Sequence, residues 1–156
     1  MLEEYVAWIG LDLAFQEIDA ELAGLPGDYA PPRGALFVAD DAQGLVGMVG
    51  LRPLDIAWPA DLSAVARSAE VEAQSAKAAE MKRLFVRPSA RGRGLQKQLI
   101  AVALDEARRL RYSEIRLDTL PMMGDAQSLY VSLGFRDIAP YYDTPIAGTR
   151  FMSKKL

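Results

Sequence analysis

Residues 91–96, the run R-G-R-G-L-Q, combine two arginines and two glycines in the pattern of an anion-binding turn. The run lies between Met81 to Val86, which is rich in strand-forming residues, and apolar residues at helical spacing. The glycines let the backbone approach a ligand closely, and the first N–H groups of the helix have no partner of their own. The arginines add positive charge, so a pyrophosphate site is predicted. The alternative is a tight connection with solvated arginines. The candidate ligand-binding residues are Arg91, Gly92, Arg93, Gly94, Leu95 and Gln96.

The chain contains neither cysteine nor histidine. This composition excludes disulfides, a thiolate nucleophile, the commonest general base and the commonest metal ligands. Acid–base chemistry must therefore use carboxylates, tyrosine, backbone groups or water, and no metal site is expected.

Residues 86–95, V-R-P-S-A-R-G-R-G-L, resemble the acetyl-CoA loop of the GNAT N-acetyltransferase superfamily. In that loop Gln or Arg is followed at the third position by Gly and at the fifth by Gly or Ala. Arg91 and Gly94 match, while Gln96 stands where Gly or Ala is usual. A second segment, Ala126 to Phe135, resembles the superfamily's A-x-x-L-Y-x-x-x-G-F. The resemblance covers roughly residues 30–156 and is strongest to small bacterial members with E-M-K-R-L-x-V-R-P and R-L-D-T-L-P.

The resemblance implies that acetyl-CoA is the cosubstrate. It also implies that the pantetheine arm lies along the backbone of Leu84, Phe85 and Val86, where an N–H would polarise the thioester carbonyl. Many relatives have an asparagine where Met123 stands, so that cofactor contact is expected to be absent.

Without Cys or His, direct attack of an amine on the thioester is the simplest route. In the enzymes that this chain resembles, the tyrosine of the second motif lies near the thioester sulfur, so Tyr130 is the candidate acid for the leaving thiolate. Glu80 is the candidate base, because it opens the central strand and its family counterpart often orders a water. Asp118 is a second candidate base, expected instead to pair with an arginine. Each has a purely structural alternative. From the predicted topology, the residues expected on the side of the site that binds the acceptor amine are Arg52, Arg83 and Tyr141 or Tyr142.

These residues predict an acetyl-CoA-dependent N-acetyltransferase acting on a primary amine of a small molecule or a peptide. A non-catalytic acyl-CoA binding or sensor module stays open as the rival, because Gln96 and Met123 depart from the family pattern. A nucleotide-binding kinase or dehydrogenase is disfavoured, since the turn lacks the required lysine and third glycine. A homodimer is left open.

The composition fits one N-acetyltransferase domain over residues 1–156. A net charge of -3 argues against a general nucleic-acid or membrane-surface binder. The sequence has no signal peptide and no apolar run approaching the roughly 18 residues that a membrane span needs. A cytoplasmic location is therefore expected.

Hydrophobic periodicity predicts the elements that position these residues. The strand Met81 to Val86 leads through the turn into a long helix, and Ser113 to Leu120 then alternates as a second strand parallel to the first. The class is α/β: a GNAT-like fold with a single mixed twisted sheet flanked by helices. The other predicted elements are a helix over 1 to about 24, a hairpin of 35–39 and 45–51, a helix over 126–133, and strands at 135–138 and 149–152.

Residues 55–79 are alanine-rich and are predicted to be an insertion relative to the similar proteins. A helix from Leu62 to about Ala79, capped by Asp61, is expected there as a solvated flap. The first strand that usually precedes the N-terminal helix in those proteins is not visible.

Overall fold

The computed structural model describes residues 1–10, 18–42, 44–54 and 78–156. Within those ranges the helices are α1 (Leu2–Ile9), α2 (Ile18–Ala23), α3 (Leu95–Arg109) and α4 (Gly124–Ser132). The strands are β1 (Ala35–Asp41), β2 (Gly44–Leu54), β3 (Ala78–Val86), β4 (Glu114–Thr119), β5 (Arg136–Ile138) and β6 (Arg150–Lys155). None of these helices has the length and apolar character that crossing a bilayer requires.

The strands form one mixed sheet in the order β1-β2-β3-β4-β6-β5. β3 and β4 run parallel, as predicted, and α3 connects them; the other neighbouring pairs are antiparallel. The predicted mixed sheet flanked by helices is confirmed, and so are the β1–β2 hairpin and the C-terminal strand pair.

β3 and β4 separate along their length. Their backbones pair only from Ala78 with Glu114 to Glu80 with Arg116. Beyond that step, β3 continues to Val86 against β2, and β4 continues to Thr119 against β6. A gap therefore opens between two adjacent strands in the middle of the sheet, and residues after Glu80 line one side of it.

The main core lies between α3 and one face of the sheet. The helix residues Leu99, Ile100 and Ala103 are at most 5% exposed, because apolar residues recur at i, i+3 and i+4 along α3. Burying a side chain of this size contributes about 1.5 to 3 kcal/mol of hydrophobic free energy. The sheet residues of this core are Val46, Val49, Leu51, Ala79, Met81, Val86, Ile115, Leu117 and Met152.

The opposite face is covered in part by the N-terminal helices. Leu2 and Ile18 pack there with Met48 and Phe85 in a second apolar cluster. The remainder of this face carries charged side chains of β2, β3 and β4. The sheet therefore has one apolar face, packed against α3, and one face that is partly charged.

Two helix predictions need correction. The N-terminal helix ends at Gly10, not near residue 24: Gly10 has φ 65°, a left-handed conformation that terminates a helix, and α2 begins separately at Ile18. The helix expected up to Ala79 is wrong at its end, because Ala78 and Ala79 belong to β3 and are buried against the core. The rest of that expectation, over 55–77, lies outside the described residues. In residues 1–10 and 18–34 there is no strand, in line with the sequence reading.

Candidate functional site

A cavity of about 340 Å³ lies at the C-terminal end of β3. β3, the turn after it, α1, and the segment around the start of α4 all contribute to its wall. The lining residues are Trp8, Leu84, Phe85, Val86, Arg91, Gln96, Met122, Met123, Gly124, Asp125, Ala126 and Tyr130. Both sequence motifs therefore meet at one cavity, although they are separated by α3 and β4.

The turn 91–96 adopts the conformation that its glycines predict. Gly92 and Gly94 have φ 75° and 76°, in the left-handed region that residues with a Cβ rarely adopt. Gly94 caps α3, and the first helical hydrogen bond runs from the N–H of Gln98 to its carbonyl at 3.2 Å. The N–H groups of Leu95 and Gln96 thus have no acceptor within the helix, and they can donate to an anion.

The two arginines of the turn behave differently. Arg91 lines the cavity; its Nε donates to the Val86 carbonyl at 3.1 Å, and its guanidinium lies 4.7 Å from the centre of the Trp8 ring. Arg93 is more than half exposed and pairs with Asp41 at 3.0 Å, at the end of β1. Arg91 is therefore the better placed of the two to meet a ligand, and the contribution of Arg93 stays a prediction.

Tyr130 projects from α4 into the same cavity. The residue is only 6% exposed, and its ring packs edge-on against Phe135 at 5.6 Å. Among the described residues its hydroxyl has no hydrogen-bond partner. Burial, reinforced by the nearby Tyr5 and Asp118, raises the pKa of the Tyr130 phenol. The side chain therefore offers a neutral O–H donor to whatever occupies the cavity.

Glu80 does not line this cavity and is not at the start of its strand. It is the third residue of β3, 1% exposed, and its carboxylate is held from two sides. Arg52 donates to Oε2 from Nε at 2.9 Å and from NH2 at 2.8 Å, and the Tyr141 hydroxyl donates to Oε1 at 2.9 Å. Burial and the negative charge of Glu80 raise the pKa of Tyr141. Arg52 and Tyr141, both expected on the acceptor side, thus converge on the candidate base.

Asp118 pairs with a lysine, not with an arginine as expected. Lys82 Nζ lies 3.5 Å from Asp118 Oδ1 and 3.8 Å from Glu80 Oε1. The Lys82 side chain is 6% exposed and lies 5.7 Å from the centre of the Tyr142 ring. The negative charge of Asp118 also contributes to raising the pKa of both Tyr130 and Tyr141. Asp118 therefore interacts electrostatically with a residue of the cavity and with a residue that contacts Glu80.

Arg83 takes part in a separate buried ion pair. Its φ is 58°, where the β2–β3 pairing is irregular, and its guanidinium donates to both oxygens of Glu21 at 2.8 Å. The Tyr29 hydroxyl donates to Glu21 at 3.0 Å. This cluster ties α2 and the turn after it to the sheet, so Arg83 has a structural partner in addition to its expected place on the acceptor side.

Sequence reasoning missed two residues of this region. Trp8 lies within the predicted N-terminal helix and received no role at the site, but it is 44% exposed and lines the cavity. Lys82 received no role, although it is a buried cation between two carboxylates. The alternation of side chains along β3 could have predicted the position of Lys82, since residues two apart on a strand, such as Glu80 and Lys82, lie on the same face. No pattern in the sequence predicts that Trp8 lies next to Arg91.

Comparison with known proteins supports an acyltransferase. The family description "Acetyltransferase (GNAT) domain" matches residues 32–137. An uncharacterized N-acetyltransferase of Schizosaccharomyces pombe is 35% identical over 153 residues, which cover 97% of this chain and 82% of the relative. A GNAT-family acetyltransferase from Staphylococcus aureus has a similar fold, with a TM-score of 0.73 at 21% identity over 99% of this chain and 90% of the other. A GNAT-family acetyltransferase from Elizabethkingia anophelis, solved with acetyl-CoA bound, has a TM-score of 0.59 at 17% identity over 90% and 82% of the two chains.

Proposed function

The chain belongs to the GNAT acetyltransferase family and is an acyltransferase, and we propose that it transfers the acetyl group of acetyl-CoA directly to a primary amine of a small molecule or a peptide. One observation supports the proposal: Arg91 and Gln96 of the turn, the end of β3 and Tyr130 all line one cavity. The turn fits a diphosphate, the strand end fits the pantetheine arm, and Tyr130 offers the proton donor.

In the proposed reaction the amine nitrogen attacks the carbonyl carbon of the bound thioester. A C–N bond forms, the C–S bond breaks, the amine loses a proton, and the departing sulfur takes a negative charge that must be stabilised. No protein nucleophile is required, which agrees with the absence of cysteine. Holding both reactants in line supplies a large part of the rate enhancement.

Tyr130 is proposed to stabilise the departing thiolate. Its hydroxyl has no hydrogen-bond partner in the described part of the chain, so its O–H is available to the sulfur. Because burial raises the pKa of the phenol, it stays protonated during turnover. A thiol has a pKa near 8.5, below that of the phenol, so donation of a hydrogen bond to the thiolate is favoured over complete proton transfer.

Glu80 is proposed to accept the amine proton through a water molecule. Direct contact with the amine is hindered, because Arg52 and Tyr141 already donate to both carboxylate oxygens. A bridging water can reach the remaining lone pairs, and Arg52 and Lys82 lie 2.8 and 3.8 Å from the carboxylate oxygens. Asp118 remains the alternative base, because it belongs to the same charge cluster through Lys82.

The rival function, a non-catalytic acyl-CoA binding or sensor module, is favoured by the same Glu80 contacts. A carboxylate whose two oxygens already accept hydrogen bonds from Arg52 and Tyr141 is a weaker base than a free one, and a binding module would hold acetyl-CoA without consuming it. Gln96, which replaces the usual small residue and lines the cavity, also fits a binding role.

Release of free thiol from acetyl-CoA, measured across a panel of primary amines, separates the two functions. We expect thiol release that depends on both protein and amine. Calorimetric binding of CoA without amine-dependent thiol release would support the sensor. A screen of metabolites with labelled acetyl-CoA would then identify the acceptor.

The proposal extends to a single catalytic domain over residues 1–156 and to a cytoplasmic location. The insertion predicted over 55–79 is proposed without its last two residues, because Ala78 and Ala79 belong to β3. A homodimer stays open. The resemblance to small bacterial members implied a bacterial origin. The matched relatives include eukaryotic as well as bacterial proteins, so the origin stays a prediction.

A further inference from the structure

Trp8 is a large apolar side chain that is only partly buried. It is 44% exposed, and the surface that it presents forms part of the cavity wall. Its ring lies 5.7 Å from the Phe85 ring and 4.7 Å from the Arg91 guanidinium carbon. An aromatic face at this distance attracts a guanidinium, and stacking restricts the orientation of the arginine plane.

The helix that carries Trp8 is anchored to β3 and to the residue after it. Glu4 accepts two hydrogen bonds from Arg87, at 3.0 and 2.8 Å, and the Tyr5 ring contacts Phe85 at 6.0 Å. Leu2 is buried in the second apolar cluster. These contacts fix α1 against the strand, so Trp8 is held beside Arg91 before any ligand binds.

Arg91 is held from a second side as well. Its Nε donates to the Val86 carbonyl, while its terminal nitrogens have no hydrogen-bond partner among the described residues. A guanidinium that lies over an aromatic ring and is hydrogen-bonded at Nε presents its remaining donors in a restricted range of directions. Such donors suit the oxygens of a diphosphate, which arginine binds with two parallel hydrogen bonds.

We propose that Trp8 is a positioning residue for CoA: it orients Arg91 toward the diphosphate, in the cavity between α1 and α3. The inference rests on the proposed function, because it requires CoA to occupy this cavity. It extends that function to a helix that lies outside the matched family region 32–137.

The test measures the CoA dissociation constant by calorimetry for Trp8→Ala and Trp8→Phe. We expect Trp8→Ala to weaken binding about three- to tenfold, and Trp8→Phe to recover much of the loss, because phenylalanine keeps an aromatic face that binds cations less strongly than tryptophan does. Val6→Ala is the matched control, since Val6 lies on the same helix and packs against the second cluster without lining the cavity. It should leave CoA binding within about twofold.

A double-mutant cycle identifies the route of the effect. In an Arg91→Met background, Trp8→Ala should change CoA affinity by less than about twofold, because the residue that Trp8 orients is absent. An acetyl-pantetheine thioester, which lacks the diphosphate, should be turned over with the same KM by wild type and Trp8→Ala.

The outcomes separate this inference from the proposed function. If wild type does not bind CoA at all, the proposed function fails. If wild type binds and Trp8→Ala binds equally well, or if Val6→Ala weakens binding as much, the positioning role is overturned. Equal losses from Trp8→Ala with and without Arg91 would also overturn it, since Trp8 would then act independently of the arginine.

Discussion

Lys82 Nζ lies 3.5 Å from Asp118 Oδ1, just beyond the point at which the backbones of β3 and β4 cease to pair with each other. The last backbone pair is Glu80 with Arg116, two residues earlier on each strand. Where the strands separate, a pair of side chains replaces the backbone ladder. Both side chains are largely buried, 6% and 11% exposed, so the attraction between them is little screened by solvent. The pair therefore links the two strands at the start of the gap.

Replacing Lys82 by methionine should destabilise the fold. The methionine preserves most of the side-chain volume but leaves Asp118 buried beside Glu80 without the shared cation. Removing one partner of a buried ion pair typically costs about 3 to 5 kcal/mol, and the 11% exposure of Asp118 places the expected loss near 2 to 4 kcal/mol. Urea unfolding measures it. The double variant Lys82→Met/Asp118→Asn should recover part of the loss, and a double variant as unstable as the single one would contradict this account.

Tyr130→Phe should separate catalysis from binding. The variant keeps the ring and its packing against Phe135, and it removes a hydroxyl that makes no hydrogen bond to the described residues. We expect the CoA dissociation constant to change by less than about threefold, while kcat falls by roughly 10- to 100-fold, since a hydrogen bond to a charged group contributes about 1.5 to 3 kcal/mol and this one is made mainly to the departing thiolate. Thiol release with an efficient amine measures kcat. Full kcat in the variant would assign the donor to water or another group, and lost CoA binding with kcat intact would make Tyr130 an anchor for the cofactor.

The pH dependence of kcat provides an independent test of the same residue. Because burial raises the pKa of Tyr130 above its usual value of 10.0, the phenol keeps its proton to higher pH than a solvated tyrosine does. Ionisation of Tyr130 should therefore cause no loss of kcat up to about pH 10. Wild-type activity that falls between about pH 8 and 10, with no such fall in Tyr130→Phe, would show that the phenol titrates there and that its environment is more polar than the structure indicates.

Local sequence patterns predicted the backbone conformation of two parts of the candidate site, whose role in binding and catalysis stays a prediction. The turn 91–96 requires left-handed glycines before a helix, and Tyr130 lies one helix turn before a glycine that ends α4; both patterns are readable over a few residues. The parallel arrangement of β3 and β4 followed from the connecting helix. These features depend on short-range geometry, which one sequence encodes directly.

The contacts that were missed join segments far apart in the chain. Trp8 meets Arg91 across more than eighty positions, and nothing in either segment identifies the other. Tyr141 donates a hydrogen bond to Glu80 from a loop after β5. The position of Glu80 on β3 therefore could not predict that its carboxylate is already hydrogen-bonded within the protein. The end of α1 at Gly10 was missed because the apolar spacing continues beyond it, and a left-handed glycine outweighs that spacing.

Gly94→Val should weaken CoA binding at least tenfold, or about 1.4 kcal/mol. Gly94 has φ 76°, and a Cβ there would meet no atom within 4 Å, so the penalty arises from the backbone and not from a clash within the protein. A β-branched residue disfavours that conformation and would turn the free N–H groups of the α3 N-terminus away from the diphosphate. Gly44→Val is the matched control, since Gly44 also has a positive φ and open space, in the β1–β2 hairpin. It should lower stability without changing CoA affinity; equal CoA affinity in folded Gly94→Val would remove the turn from the site.

The Glu21–Arg83 pair should make the stability of the protein depend on pH in the acidic range. Burial alone would raise the pKa of Glu21, but hydrogen bonds from Arg83 and Tyr29 and the charge of Arg83 outweigh it and hold the pKa below its usual value of 4.5. A carboxyl group whose pKa is lower in the folded state binds fewer protons there than in the unfolded state. Its stabilisation is therefore complete above the unfolded pKa and is lost as the pH falls from about 4.5 through the folded pKa.

Glu21→Gln tests this linkage directly. The glutamine keeps the shape but cannot ionise, so the variant should be less stable than wild type by about 1.5 to 3 kcal/mol near pH 7, the range for a hydrogen bond to a charged group. The difference should shrink as the pH falls below about 4.5 and through the lower folded-state pKa of Glu21, because the charge that Arg83 and Tyr29 stabilise is then progressively lost in wild type. Glu106→Gln is the control: Arg109 also lowers the pKa of Glu106, but that pair lies on the surface of α3, and exposed pairs contribute less than about 1 kcal/mol. A difference between wild type and Glu21→Gln that stays constant from about pH 7 to 3 would mean that shape, and not the charge of Glu21, stabilises this cluster.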